Sequence, residues 1–175
     1  MMLKSVGLFS LMSGLACLAG PVSAQEALPA NLLTDVCLPY ANRAQTFERS
    51  IRAARDLEFR RPTGDTAPLD DWASEVTLIS RDGSWRVRIE EGTVERGDKA
   101  VYEASCTISS SRASARELAD LGRRAFRNPA YWTTPSENPR RWDRRSAHPD
   151  EYGLAVEVAE LPGERPTLTV RGSYY

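Results

Sequence analysis

The sequence predicts an α+β domain: an antiparallel sheet of about five strands with helices packed on one face, in the order α-β-β-β-α-β-β. Three observations carry this. Residues 99–110 read as a strand with two unlike faces, Tyr102, Ala104, Cys106 and Ile108 on one side and Val101, Glu103, Ser105, Thr107 and Ser109 on the other. Trp85, Val87 and Ile89 alternate with Arg86, Arg88 and Glu90 without a break. Helical apolar spacing occurs only before residue 58 and again after residue 114, so helices flank the strand runs instead of interrupting them.

In chain order, residues 25–30 read as a short tail. Residues 31–37 suit one or two helical turns with Leu32, Leu33 and Val36 inward, and Pro39 argues against helix at Leu38. Asn42 with Gln45 three residues on fits a capping box. It would open an amphipathic helix with Ala44, Phe47, Ile51, Ala54 and Leu57 inward and Arg43, Glu48, Arg49, Arg52 and Arg55 outward. Residues 60–71 carry Pro62, Gly64, Pro68 and the pair Asp70-Asp71 and read as a loop, in which the two acids are solvated in preference to binding calcium. A strand over residues 75–80, the turn Asp82-Gly83, the Trp85 strand and the turn at residues 96–98 complete a meander with the strand over residues 99–110. Ser114 and Glu117 form a second capping box for a helix to about Phe126, with Leu118, Leu121 and Ala125 inward and Asn128-Pro129 as its stop. Two alternating strands separated by Pro162-Gly163 end the chain, the last of them either at a sheet edge or in the middle of the sheet.

The first 24 residues read as a signal peptide. A basic start ending at Lys4 precedes an apolar stretch, and Val22-Ser23-Ala24 places small residues where signal peptidase acts, with the mature domain running from 25 to 175. A membrane anchor is the alternative, against which the shortness of the apolar run and its breaks at Gly14, Gly20 and Pro21 count. Lipidation at Cys17 is a second alternative, against which it counts that Gly14 stands where a larger apolar residue is wanted. No later stretch is long enough to span a bilayer. Periplasmic or secreted localisation is therefore expected.

Cys37 and Cys106 are then the two cysteines of the mature chain. In an oxidising compartment a disulfide between them is the simplest reading, tying the helical region to the sheet, and two buried free thiols are the alternative. Closing that loop would stabilise the fold by about 4 kcal/mol. No CxxC pair is present and His148 is the one histidine, so no metal and no cofactor are expected. In its layout, with one cysteine near the mature N-terminus and one in a mid-chain strand, the chain resembles small exported bacterial proteins of uncharacterised function. That resemblance implies no activity and no site residues.

The segment that stands out is residues 123–145, RRAFRNPAYWTTPSENPRRWDRR. It holds seven arginines against Glu137 and Asp143, while the mature chain as a whole carries a net charge of −2. It overlaps an unusually long connection, residues 128–152, of the kind that is either functional or disordered, and its aromatic residues argue against disorder. Arginine binds carboxylate and phosphate bidentately and stacks on indole rings. Arg127, Trp132, Arg140, Arg141, Trp142, Arg144 and Arg145 are therefore the candidate residues for an anionic partner, either an envelope component or an acidic protein. The bland alternative is a loop packed back on its own acidic body. The compartment and the overall charge count against nucleic acid.

Enzyme signatures are missing. There is no nucleophile elbow, phosphate-cradling glycine loop, zinc motif or dinucleotide fingerprint. His148 precedes Pro149 and Asp150 and reads as a solvated loop residue, although a carboxylate pair assembled only by folding would leave no trace in sequence. The expectation is a non-catalytic exported domain, with a small envelope hydrolase as the alternative.

Overall fold

The computed structural model describes residues 24–64, 74–124, 131–133, 140–145, 148 and 151–175. The fold is α+β. Six antiparallel strands form one sheet: β1 (Glu75–Ile79), β2 (Trp85–Arg96), β3 (Lys99–Ser110), β4 (Arg140–Asp143), β5 (Tyr152–Ala159) and β6 (Thr167–Tyr174), in the spatial order β1-β2-β3-β6-β5-β4. Two three-stranded meanders thus meet along the β3–β6 pair, in register from Tyr102↔Tyr174 to Ser109↔Thr167. The last strand lies inside the sheet. The sixth strand, one more than expected, is β4, drawn from the segment read as a long loop.

Three helices occur among the described residues. The first, α1, is a continuous helical run of three parts: Ala24–Asn31, a π-helical stretch Leu32–Cys37, and Leu38–Ala41. It corrects two expectations, since residues 25–30 are helical, not a tail, and the helix passes through Pro39. The widened turn explains the second point. The Leu38 N–H bonds to the Leu33 carbonyl, five residues back. Pro39 has no N–H to give to the Asp35 carbonyl, and the Gln45 side chain donates to that carbonyl instead, at 3.1 Å.

The second helix, α2 (Phe47–Asp56), begins later than expected, because Thr46 is its cap and not Asn42. Arg43 takes a left-handed backbone, φ 59°, which ends α1 and turns the Asn42 side chain onto the Ala44 N–H at 3.1 Å. Ala44 is consequently exposed, while Phe47, Ile51 and Ala54 face the core as expected. The third helix, α3 (Ala115–Arg124), has the expected capping box. The Glu117 carboxylate accepts from the Ser114 N–H at 2.7 Å, and the Ser114 hydroxyl accepts from the Glu117 N–H at 3.3 Å. Leu118 and Leu121 are buried; Ala125 and Phe126 lie outside the described residues.

The helices cover one face of the sheet. The second half of α1 crosses β3 and β6, α2 lies on β2, and α3 lies on β5 and β6. Between the layers sit Val87, Ile89, Ile108, Leu168, Val170 and Val156, all fully buried. The other face is mainly polar, as the alternation of β2 and β3 requires, with Val101 buried near one end of it. There Arg88 bridges Glu75 at 2.9 Å and Glu90 at 2.8 Å, and the Thr107 and Thr169 hydroxyls meet at 3.0 Å across the β3–β6 pair.

Cys37 and Cys106 form a disulfide with Cα atoms 5.1 Å apart, joining the π-helical turn of α1 to the core face of β3. Both cysteines are fully buried. Next to it α1 touches the sheet with its backbone. A Cβ on Gly172 would lie 1.8 Å from the Ala41 carbonyl oxygen, so only glycine fits there, and the Tyr174 hydroxyl donates to the same oxygen at 2.7 Å. The Tyr40 hydroxyl, within 3.0 Å of both the Glu90 carbonyl and the Glu91 carboxylate, ties α1 to β2. Burial, then the Glu91 charge, pushes the Tyr40 phenol far above its usual range.

Candidate functional site

The Arg/Trp segment divides into residues that hold it to the body and residues that face outward. Trp142 is the anchor. In β4 it pairs with Val156 and points to the core face, buried to 4% exposure, reaching toward Gly122 of α3. An indole of that size buries enough apolar surface to fix a strand of four residues. Trp132 is half-buried and forms an antiparallel bridge with Arg144. The Thr133 N–H donates to the Asp143 carbonyl at 2.9 Å and the Arg145 N–H to the Tyr131 carbonyl at 2.7 Å, so residues 131–133 run along the outer edge of β4. The reading of residues 128–152 as one long loop is corrected to this extent. Four residues with a single alternation carry no strand signal by themselves; the anchor and the β5 ladder supply it.

The arginines go three ways. Arg141 alternates away from Trp142 onto the polar sheet face. It holds Asp143 at 2.8 Å and Glu157 at 3.7 Å, and the Asp143 bond, ahead of the desolvation that opposes it, raises its pKa. Its charge is thus met by Asp143 within the segment and by Glu157 of the body, and only the second contact is of the kind that packing back on an acidic body requires. Arg144 and Arg145 are exposed beside β4. The Arg144 N–H continues the ladder to the Leu154 carbonyl at 2.8 Å, and its positive charge favours the ionised form of the Tyr152 phenol, which burial nevertheless pushes up. Arg140 is exposed on the same side of β4 as Trp142. Arg127 lies outside the described residues, as do Asp70 and Asp71.

Arg140 does not stand alone. It lines a groove of about 690 Å3 between α3 and the β4–β5 edge, where Arg116 and Arg123 approach from α3. Buried Ala119 and Val158 form its apolar floor, and Asp120 and Glu160 add carboxylates. Arg123 forms an ion pair with Asp120 one helical turn before it. Arg116 and Arg140 form no ion pair with a described residue. The part played by Arg116 escaped the sequence reading, although the signal existed: residues 116, 120 and 123 share one helical face, opposite Leu118 and Leu121.

His148 is exposed, and its carbonyl accepts from the Glu151 N–H at 3.1 Å and the Tyr152 N–H at 3.2 Å. Among the described residues no three metal-capable side chains converge. No helix among them is long and apolar enough to cross a membrane. Comparison of the chain with protein-family models, with curated proteins and with solved structures returns no match.

Proposed function

We propose that this is a non-catalytic domain exported to the periplasm or beyond the cell, where it binds an anionic partner through the surface that carries Arg140, Arg144 and Arg145. The observation that carries the reading is the division within the Arg/Trp segment. Trp142 and Trp132 turn toward the body and fix β4, and three arginines are left exposed around that fixed strand. Charges on a rigid element are placed for recognition in a way that charges on a free loop are not. Export is supported by the Cys37–Cys106 disulfide, which an oxidising compartment maintains, together with the signal-peptide pattern of residues 1–24.

The test uses the oxidised domain and its triple variant Arg140→Ala, Arg144→Ala, Arg145→Ala, which leaves the paired Arg141 in place. Both are immobilised and exposed to bacterial envelope extract at low and high salt. The expected result is retention of material on the wild type that falls as salt rises and is lost from the variant. Equal retention by both proteins, or retention indifferent to salt, would sink the proposal.

A further inference from the structure

We infer that the groove between α3 and the β4–β5 edge receives an acidic segment of a partner protein, with its carboxylates held between Arg116 and Arg140 and a small apolar side chain against Ala119 and Val158. This rests on the anion-binding reading above and narrows it to one class of ligand and one place.

The first support is the state of the arginines. Arg123 is paired with Asp120, and Arg141 with Asp143 and Glu157. Arg116 and Arg140, on the helix wall and the strand wall of the groove, are exposed and make no ion pair with a described residue. Each presents a planar fork of donors that fits a carboxylate with two parallel hydrogen bonds. The helix wall is set by the capping box at Ser114 and the strand wall by Trp142, so the two forks are held on packed elements.

The second support is the mixture of signs. Asp120 and Glu160 line the same groove. Asp120 is held by Arg123, but a polyuronate, a polyphosphate or an anionic bilayer carries negative charge at every position and would be driven against Glu160. A polypeptide can set its own carboxylates at Arg116 and Arg140 and offer a backbone N–H or a neutral side chain to Glu160. Discrimination of this kind arises from the repulsive group as much as from the attractive one. The third support is the floor. Partly exposed Ala115, with Ala119 and Val158 beneath it, gives small apolar contact between the charged walls, which matches a small apolar residue between acidic ones and has no counterpart in a phosphate.

The experiment titrates four probes into the oxidised domain and follows amide NMR shifts. They are a capped peptide with Glu at alternate positions separated by Ala and Val, the same peptide with Gln for Glu, oligogalacturonate, and phosphatidylglycerol vesicles. Each is repeated with the double variant Arg116→Gln, Arg140→Gln and with Arg86→Gln, an exposed arginine of the opposite sheet face. The Glu peptide should bind and shift the amides of Ala119 and Val158, and the Gln peptide should not. The double variant should bind it at least about tenfold more weakly, since two charge-assisted contacts are lost, and Arg86→Gln should bind as wild type. Glu160→Gln should improve oligogalacturonate binding and leave the peptide little changed. Oligogalacturonate or vesicles binding through Arg116 and Arg140 as tightly as the Glu peptide would overturn the ligand class and leave the anion-binding reading standing. Peptide binding unmoved by the double variant would overturn the groove. No binding of any negatively charged probe would overturn both.

Discussion

The meander of β1, β2 and β3 follows α2, and the meander of β4, β5 and β6 follows α3; the two lie back to back along the β3–β6 pair. The plan is the same, one helix and then three antiparallel strands, but the means of holding it differ. The first half has an additional helix, α1, clamped to β3 by a disulfide, and two strands of 12 residues. The second half has α3 alone, a β4 of four residues and one indole, Trp142, to keep that strand in place. The covalent half is covered by α1 and α2 over its middle, while the far end of its β2–β3 hairpin is exposed. The other leaves a groove beside its helix, lined by Arg116, Arg123 and Arg140. Rigidity invested in one half gives the other a fixed base from which an open edge can be presented.

Removing the disulfide is the most severe way to test that division. Cys37→Ala with Cys106→Ala should cost about 4 kcal/mol in denaturant unfolding, by the chain-entropy account of a loop whose ends are 69 residues apart. Hydrogen exchange on the variant then shows how far the halves are separate. If α1 amides lose protection while those of α3 keep theirs, the halves open independently. Equal loss in α3 would show a single cooperative unit and remove the basis for contrasting them.

The helix–sheet contacts offer a second comparison, through two glycines. At Gly172 an added Cβ meets the backbone oxygen of Ala41 at 1.8 Å, and α1 cannot yield without moving as a body. Gly172→Ala should therefore destabilise by about 3 kcal/mol. At Gly122 the nearest atom is the Leu168 side-chain tip at 3.2 Å, which a small rotation relieves. Alanine also favours the helix by about 1 kcal/mol there, so Gly122→Ala should come out close to neutral. Thermal melts of both variants check the pair. Similar shifts in the two would mean that α1 rests on the sheet no more rigidly than α3 does.

The two halves also differed in how far they could be read from sequence. The strand over residues 99–110 was legible to its ends, because an alternation from Tyr102 to Ser109 runs between a Gly97 turn and the Ser114 capping box. The α2 start was misplaced because both Asn42 and Thr46 carry capping chemistry. What decided between them was the left-handed turn at Arg43, whose guanidinium lies 4.9 Å from the Tyr102 ring centroid and 4.8 Å from that of Tyr174. Those partners are far along the chain, and no local pattern announces them. β4 was hidden for a related reason: Arg140-Arg141-Trp142-Asp143 is a strand through its pairing with β5 and the burial of one ring. Of the candidate site, residue type was legible and destination was not. Arg140 and Arg141 are neighbours of identical chemistry, and the pleat sends one to the groove and the other to Asp143 and Glu157.

The smallest effect expected concerns a contact that links the halves at the other end of the sheet. In the β1–β2 turn the Asp82 carboxylate accepts from the Ser80 hydroxyl at 2.6 Å, from the Ser84 hydroxyl at 2.7 Å and N–H at 3.1 Å, and from Arg112, which precedes α3, at 3.0 Å. The serine hydroxyl bonds first, and the Arg112 charge after them, hold this carboxyl below its usual range. A carboxylate depressed in the folded state stabilises the fold above its unfolded pKa of about 3.9, and that contribution is lost as pH falls toward the folded value. Asp82→Asn should therefore be less stable than wild type at neutral pH, and the gap should close on acidification below about pH 4. Denaturant unfolding across that range measures it. A gap that stays constant with pH would mean that the turn is held by shape and not by charge. The β1–β2 turn would then join the first half alone, leaving the β3–β6 pair and α1 as the contacts through which the covalent half steadies the open one.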